Sequence, residues 1–177
     1  SSDGRKVNVS VDALHANYSF KYFGKDQGVT LYTFIDERQA IFHSTVFSAS
    51  DREAAYVLDG LMNNNVTPNQ IHSTDTHGYT EKIFGASHML GVDFAPRLKD
   101  LSRQRIYAFS EKKTFKKKGY VLLPSRTIKR NLILKNWDDI LRFMATIKMR
   151  HSTASQLFKR LSSYSSNHPL YEALQEI

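Results

Sequence analysis

Two aspartates in turn-like settings are the residues of this sequence best suited to metal-dependent chemistry. Asp75 follows the strand-like run 70–74, and Asp3 lies in the run SSDG at residues 1–4. An acid at the tip of a strand can hold a divalent cation, because Mg²⁺ prefers hard oxygen ligands. Two such tips meeting in space would form the carboxylate pair of a phosphoryl-transfer site. Turn-forming Asp is the commoner use of such a residue, so the proximity of the two acids decides between the interpretations.

Polar residues around Asp75 allow a second interpretation. His72 and His77 flank this acid and could indicate a different kind of metal site. A zinc-type site is disfavoured, since no ordered pair of helical histidines accompanies them. We expect His72 to be a half-buried strand residue and His77 to hydrogen bond within the turn. His77 and Thr76 are candidates to support the site, by contacting a phosphate or by orienting Asp75.

Composition limits the classes of protein this chain can be. Its 177 residues suit one domain, and 25 Lys and Arg against 17 Asp and Glu give a net charge of +8 and a pI near 9.6. Such an excess favours a polyanionic partner, although solubility alone could explain it. The absence of cysteine excludes disulfides and thiolate metal sites, which fits a reducing compartment. No apolar run approaches the roughly 20 residues that span a bilayer.

Basic side chains cluster in the second half of the sequence and are candidates for contacts with DNA phosphates. The run 112–118 contains five lysines around Phe115 and predicts a basic loop or edge. A solvated loop explains such a run equally well. No base-reading element is evident, so only phosphate contacts are predicted. The candidates are Arg97, Lys99, Lys116, Lys117, Lys118, Arg126, Lys129 and Arg130.

The first half of the chain predicts strands followed by a helix. Residues 29–35 and 41–47 are rich in β-branched and aromatic side chains, and the short polar loop between them predicts an antiparallel pair. The turn 24–28 joins this pair to an earlier segment around Tyr22. Ser50 and Glu53 have the spacing of a capping box. The helix they begin has an apolar stripe and is expected to end at residues 63–65, with Pro68 blocking continuation.

The second half predicts mainly helices. A helix is expected over 80–90 after the strand that precedes Asp75, and a further strand over 104–109. Three more helices are expected to begin near Asn136, Ser152 and His168. We expect these C-terminal helices to pack against the sheet.

This order of elements has a geometric consequence for the two acids. Strands in a meander, then a helix, then another strand require a crossover, and a right-handed crossover lays the last strand parallel to an earlier one. If that neighbour is the first strand, Asp3 and Asp75 become adjacent. The predicted fold class is α/β with a mixed sheet.

Several motifs, in order along nearly the whole chain, resemble the catalytic region of Tn-three family transposases. They are SSDG at 1–4, YFG at 22–24, GVT at 28–30, YVLDGL at 56–61, TDTHGYT at 74–80, HMLG at 88–91, FAPR at 94–97, NWDDI at 136–140 and STAS at 152–155. The resemblance implies an RNase H-like mixed sheet flanked by helices, with additional C-terminal helices. It divides the chain into a mixed sheet with helices (1–110), a basic connecting segment (111–135) and a helical part (136–177).

The resemblance also implies an activity. These DDE transposases use two Asp and one Glu to bind two Mg²⁺ (or Mn²⁺) ions, cleave at transposon ends and join the 3′ ends to target DNA in replicative transposition. Carried over, Asp3 and Asp75 are the catalytic, metal-binding acids. The expected partners are transposon-end and target DNA, with an oligomer on DNA and no membrane. The expected location is the bacterial cytoplasm, at nucleoid DNA.

One departure from the family pattern concerns the third acid. The family's Glu lies in a motif farther along than the match extends, so the resemblance implies a catalytic-core fragment with an incomplete site, inactive on its own. Glu172 and Glu176 are expected to be exposed positions of the last helix rather than substitutes for that Glu. Two other functions stay open, namely a non-catalytic nucleic-acid-binding module and a metal-dependent nuclease.

Overall fold

The structure, a computed structural model, describes residues 1–64, 70–164 and 168–177. The predicted role of Asn65 and Pro68 in ending a helix lies outside the described residues. Across the described part of the chain, no helix combines the length and the apolar content needed to cross a bilayer. The chain is a mixed α/β protein, in agreement with the predicted class.

An antiparallel sheet forms the first layer. Its long strands are β1 (Ser2–Val9), β3 (Gln27–Ile35) and β4 (Ile41–Ser48), with β3 between the other two. The short β2 (Asn17–Tyr18) pairs with the start of β3. The predicted antiparallel pair is therefore confirmed as β3 and β4.

The start of the chain differs from the prediction. Asp3 was expected in a turn, but it lies within β1, where it pairs with Thr33 of β3. Tyr22, expected to belong to the first arm of the meander, lies in the one-turn helix α1 (Phe20–Phe23). Residues 2–9 were missed as a strand because they lack an apolar run, and pairing with β3 supplies the stability that local preference does not.

A parallel pair of strands continues the sheet beyond β1. The strand β5 (Ile71–His72) pairs with β6 (Asp93–Phe94), and α3 (Glu81–Met89) connects them. A parallel bridge between Ser2 and Thr74 joins this pair to β1. The predicted parallel neighbour of the first strand is thus present, and the order across the joined sheets is β4, β3, β1, β5, β6.

The segment after β6 contains short elements. They are a 3₁₀ helix (Leu101–Arg103), β7 (Tyr107–Ala108), α4 (Lys112–Lys117), β8 (Arg126–Thr127) and α5 (Arg130–Lys135). The strand predicted over 104–109 shortens to the two residues of β7, which pair in parallel with β8. The basic run was predicted to be a loop or edge, and this was wrong, because most of it is the helix α4. The helix α5 was not predicted.

The remaining helices confirm the prediction for the C-terminal part. They are α6 (Trp137–Lys148), α7 (Ala154–Ser163) and α8 (Pro169–Glu176). The cap predicted at Asn136 is not formed, since its side chain donates instead to the Leu132 carbonyl. Thr153 caps α7 by accepting a hydrogen bond from the Gln156 amide at 3.2 Å.

The hydrophobic core lies between one face of the sheet and the helices. Tyr32 and Phe34 of β3 are fully buried against α2 (Ala54–Met62). A Cβ on Gly60 would lie 2.0 Å from the Phe34 ring, so only glycine lets this helix approach so closely. The helix α7 packs on α2, and α8 packs on α3. The C-terminal helices therefore form an outer layer, whereas they were predicted to pack against the sheet.

The capping box predicted for α2 is wrong. Glu53 stands at the N-cap position, but its carboxylate bonds to Lys6 of β1. The Ser50 hydroxyl bonds to the Ser48 hydroxyl at 2.8 Å. Both side chains fit the capping pattern in sequence, and each bonds to a side chain of the sheet instead.

Candidate active site

The junction of β1 with the segment after β5 lies next to both Asp3 and Asp75 in the chain. The Ser2 amide donates to the Ser73 carbonyl at 3.0 Å, and Ser2 bridges Thr74 in parallel. Each acid lies one residue beyond this bridged pair. The side chains of Ser2 and Thr74 are buried on the core side. Because successive strand residues point to opposite faces, Asp3 points away from the core, and Asp75, just after the bridged Thr74, is partly exposed.

A buried polar cluster fixes this junction from the core side. The Ser2 hydroxyl donates to the Tyr32 hydroxyl at 3.0 Å and lies 2.8 Å from His72 Nε2. Since Ser2 has one hydroxyl hydrogen, His72 Nε2 donates to the Ser2 oxygen. The three residues belong to β1, β3 and β5, so the cluster ties together the strands that carry and flank the acids.

The titration of this cluster reflects its burial. His72 was expected to be half-buried, but it is only 1% exposed, and burial lowers its pKa to about 4. Burial also raises the pKa of the Tyr32 hydroxyl, and the carboxylates of Glu53, Asp75 and Asp3 raise it further. His72 is therefore neutral at pH 7 and serves as a structural hydrogen-bond donor.

The turn after Asp75 orients its carboxylate. One carboxylate oxygen accepts from the His77 amide at 3.0 Å and from the Gly78 amide at 3.1 Å, and the other lies 3.1 Å from His77 Nδ1. A Cβ on Gly78 would lie 2.7 Å from the Thr74 side chain, so glycine lets the turn close. His77 thus contacts Asp75 as predicted, while the partly buried Thr76 occupies the same turn.

The surroundings of Asp3 are set by its neighbour Gly4. Asp3 is exposed and accepts a hydrogen bond from the Gly4 amide at 2.8 Å. A Cβ on Gly4 would lie 2.6 Å from a Glu53 carboxylate oxygen and 2.9 Å from the Tyr32 ring. The glycine after the first acid therefore lets α2 approach the strand behind it.

An ion pair beneath the site was not predicted from the sequence. Lys6 and Glu53 form a largely buried salt bridge at 2.5 Å, and Lys6 Nζ also lies 4.6 Å from the centre of the Tyr22 ring. The pair connects β1 to the start of α2. In a strand over residues 2–9, the period of two places Lys6 on the same face as Ser2 and Gly4. This pattern is the sequence signal that could have indicated the ion pair.

The Asp75 side chain is 39% exposed, and Asp3 is an exposed residue on the adjacent segment. Both supply carboxylates, which match the oxygen ligands that Mg²⁺ prefers. Within the described residues, no group of three or more His, Asp or Glu side chains could hold a metal ion.

Glu176 was expected to be exposed, but it is buried and accepts from Arg126 Nη1 at 2.8 Å and from the Lys129 amide at 3.0 Å. Glu172 is partly buried on the same helix.

The predicted DNA-contacting residues lie on several different elements of the chain. Arg97 is exposed near the acids, since its amide donates to the Thr74 carbonyl at 2.8 Å. Arg126 is held by Glu176 and by the Tyr107 ring, and the hydrogen bond to Glu176 raises its pKa. The remaining candidates are exposed, and they are Lys99, Lys116, Lys117, Lys118, Lys129 and Arg130.

Comparison with known proteins shows the class of the chain. Residues 1–177 match the family described as the Tn3 transposase DDE domain. The chain belongs to this family, as the sequence motifs predicted.

Relatives from several bacteria support this assignment. The transposase for transposon Tn1546 of Enterococcus faecium is 34% identical over the whole chain, that for Tn2501 of Escherichia coli 36%, and that for Tn501 of Pseudomonas aeruginosa 32%. The chain spans 18% of the length of each of these relatives. No solved structure matches the chain.

Proposed function

We propose that this chain carries the first two metal-binding acids of a DDE-type transposase, Asp3 and Asp75. The observation that supports the proposal is the parallel bridge between Ser2 and Thr74, the residues that immediately precede the two acids. The sheet order described above fits the RNase H-like fold that we propose for the domain.

The residues of the chain have separate roles in the proposed mechanism. Asp3 and Asp75 would hold the divalent ions, which when bound neutralise phosphate charge and activate water or a 3′-hydroxyl. The amides of His77 and Gly78, with the His77 ring, keep the Asp75 carboxylate in one orientation. The buried cluster of Ser2, Tyr32 and His72 keeps the two acid-bearing segments in contact.

In the whole protein, we propose cleavage at transposon ends and transfer of the 3′ ends to target DNA, in replicative transposition by an oligomer on bacterial cytoplasmic DNA. Exposed cations would contact phosphates, and among the predicted contacts Arg97 and Lys99 are the nearest in sequence to Asp75. The third acid would come from outside residues 1–177, so the chain alone is expected to show negligible strand transfer. Robust joining of DNA ends by the chain alone would contradict this.

The metal-binding role can be tested with Mn²⁺ titrations followed by calorimetry and electron paramagnetic resonance. Asp3→Asn and Asp75→Asn should each weaken Mn²⁺ binding by at least about tenfold, since even changes outside the ligand shell cost this much. Asp138→Asn is the matched control, because Asp138 is an exposed carboxylate on α6. Unchanged binding in both site variants would leave the non-catalytic DNA-binding module as the better explanation.

DNA binding supplies a second test. We expect the chain to bind duplex DNA weakly, with an affinity that falls steeply with salt, because phosphate contacts dominate. Nanomolar affinity for one particular sequence would contradict this expectation. In the complete protein, hydrolysis without joined products would favour a nuclease instead.

A further inference from the structure

The segment 109–125, which we call the basic arm, projects from a firmly held base. Its two ends are the parallel strands β7 and β8, extended by hydrogen bonds from the Ser125 amide to the Ile106 carbonyl at 2.7 Å and from the Ile128 amide to the Ala108 carbonyl at 2.9 Å. Arg126 lies 4.7 Å from the centre of the Tyr107 ring and bonds to buried Glu176. The base therefore connects the arm to α8.

The tip of the basic arm has a defined conformation. After α4, Gly119 adopts a left-handed conformation with φ of 76°. Its amide donates to the Lys116 carbonyl at 3.1 Å, and the Tyr120 amide donates to the Phe115 carbonyl at 3.2 Å, the paired bonds of a Schellman motif. The Tyr120 ring packs edge-on against Phe115 at 5.8 Å, the apolar contact that accompanies this motif. The chain direction just after the helix is thereby fixed.

Two aliphatic side chains follow this reversal and are exposed to solvent. Val121 is 94% exposed and Leu122 is 74% exposed. Five lysines of the same arm, Lys112, Lys113, Lys116, Lys117 and Lys118, are exposed beside them in the chain. The arm therefore combines exposed apolar side chains with exposed positive charge in one segment, a combination typical of an interaction site.

We propose that the basic arm binds the DNA backbone through its lysines and inserts Leu122, with Val121, between neighbouring bases. The inference rests on the proposed DNA-binding function and adds a mode of binding to it. DNA fits both kinds of side chain in the arm. Its phosphates attract the lysines, and an unstacked base step accepts an aliphatic side chain. Bending or opening a duplex in this way needs no sequence-reading contact.

A lipid surface fits the basic arm less well. A helix that lies in a membrane interface presents a long apolar face opposite its charges. The helix α4 has six residues, KKTFKK, and its apolar residue Phe115 packs against Tyr120. The exposed large apolar side chains of the arm lie outside the helix, with Phe109 before it and Tyr120, Val121 and Leu122 after it, which suits a wedge better than a membrane-bound helix face.

The test measures base unstacking directly. A duplex of roughly 25 base pairs carries 2-aminopurine at flexible TA steps, where kinking costs least. The wild-type chain should increase 2-aminopurine fluorescence on binding. Leu122→Ser should abolish the fluorescence increase. It should also lower the affinity for DNA roughly tenfold, because the proposed complex would lose an aliphatic side chain buried between bases. The matched control is Leu14→Ser, since Leu14 is 92% exposed between β1 and β2, outside the arm, and this change should leave both signals intact.

A second variant separates phosphate binding from the wedge. Changing Lys116, Lys117 and Lys118 to Gln should reduce the slope of log affinity against log salt by about 0.9 for each phosphate that the protein no longer neutralises. All the substituted side chains are exposed, and circular dichroism of each variant checks that the fold is kept.

Each outcome decides the proposal. Binding without a fluorescence increase, or an increase that Leu122→Ser leaves unchanged, overturns the wedge while the proposed function stands. Absence of DNA binding by the wild-type chain overturns both. Binding to anionic lipid vesicles that depends on Leu122, with DNA binding independent of it, would assign the arm to membranes and overturn the wedge.

Discussion

His72 should make the stability of this protein sensitive to pH above the ordinary pKa values of Asp and Glu side chains. Its pKa is about 4 in the folded chain, against 6.5 for an unperturbed histidine, because the ring is buried between Phe34 and Phe94. The unfolded chain therefore takes up a proton below pH 6.5 that the folded chain does not bind. The resulting stability is complete above pH 6.5 and is lost as the pH falls towards 4.

The size of the effect follows from the two pKa values. At about 1.4 kcal/mol per pH unit, the interval from 6.5 to about 4 corresponds to roughly 3 kcal/mol in the free energy of unfolding. About 2 kcal/mol of this should be lost between pH 7.5 and 5, while ordinary Asp and Glu side chains remain mostly ionised. That is a large fraction of the roughly 5–15 kcal/mol that holds a typical domain together.

Urea unfolding at pH 7.5, 6.5, 5.5 and 5 measures the effect in wild type and in His72→Gln. The glutamine keeps a donor for Ser2 but cannot take up a proton, so its stability should change by about 2 kcal/mol less over this range. His15→Gln, at an exposed histidine before β2, is the control and should follow the wild type. If His72→Gln loses stability as steeply as wild type, His72 is not the group responsible and the role assigned to the buried junction is wrong.

Three further predictions concern packing and buried charge. Burial raises the pKa of Asp59, and its carboxylate accepts a hydrogen bond from the Ser155 amide. In urea unfolding at pH 7, Asp59→Asn should therefore be at least as stable as wild type. Asp59→Ala should lose about 1–3 kcal/mol, because the Ser155 amide loses its partner. Gly60→Ala should lower the stability by about 1–3 kcal/mol, because the added Cβ would overlap the Phe34 ring. Adding Phe34→Leu to this variant should restore part of the stability, as measured by thermal unfolding. Glu176→Ala should lose about 1–3 kcal/mol and Glu176→Gln less, while calorimetry should find Mn²⁺ affinity unchanged in both.

The elements predicted well from sequence are those whose stability is largely local. The strands β3 and β4 carry β-branched and aromatic residues around a short polar loop, and α6, α7 and α8 have apolar stripes at helical spacing. Such patterns identify an element without knowledge of its neighbours. A later segment lying parallel to an earlier strand was also predictable, because a right-handed crossover produces that arrangement.

The elements that sequence reasoning missed depend on distant partners. The strand β1 alternates between exposed and more buried residues that are mostly polar, and it is held by pairing with β3, so it lacks the expected apolar pattern. The helix α4 resembled a solvated run of charge, and the Schellman motif at Gly119 ends it. Glu53 and Glu176 bond to side chains 47 and 50 residues away, which no local pattern reveals.

The alternation along β1 makes the whole site dependent on strand register. A slip of one residue against β3 would turn Asp3 towards the interior and expel Lys6 from beside Glu53. The close fit at Gly4 and the removal of the cation beside Glu53 both penalise that slip. The register of β1 against β3 therefore determines whether the Asp3 side chain faces solvent or the interior.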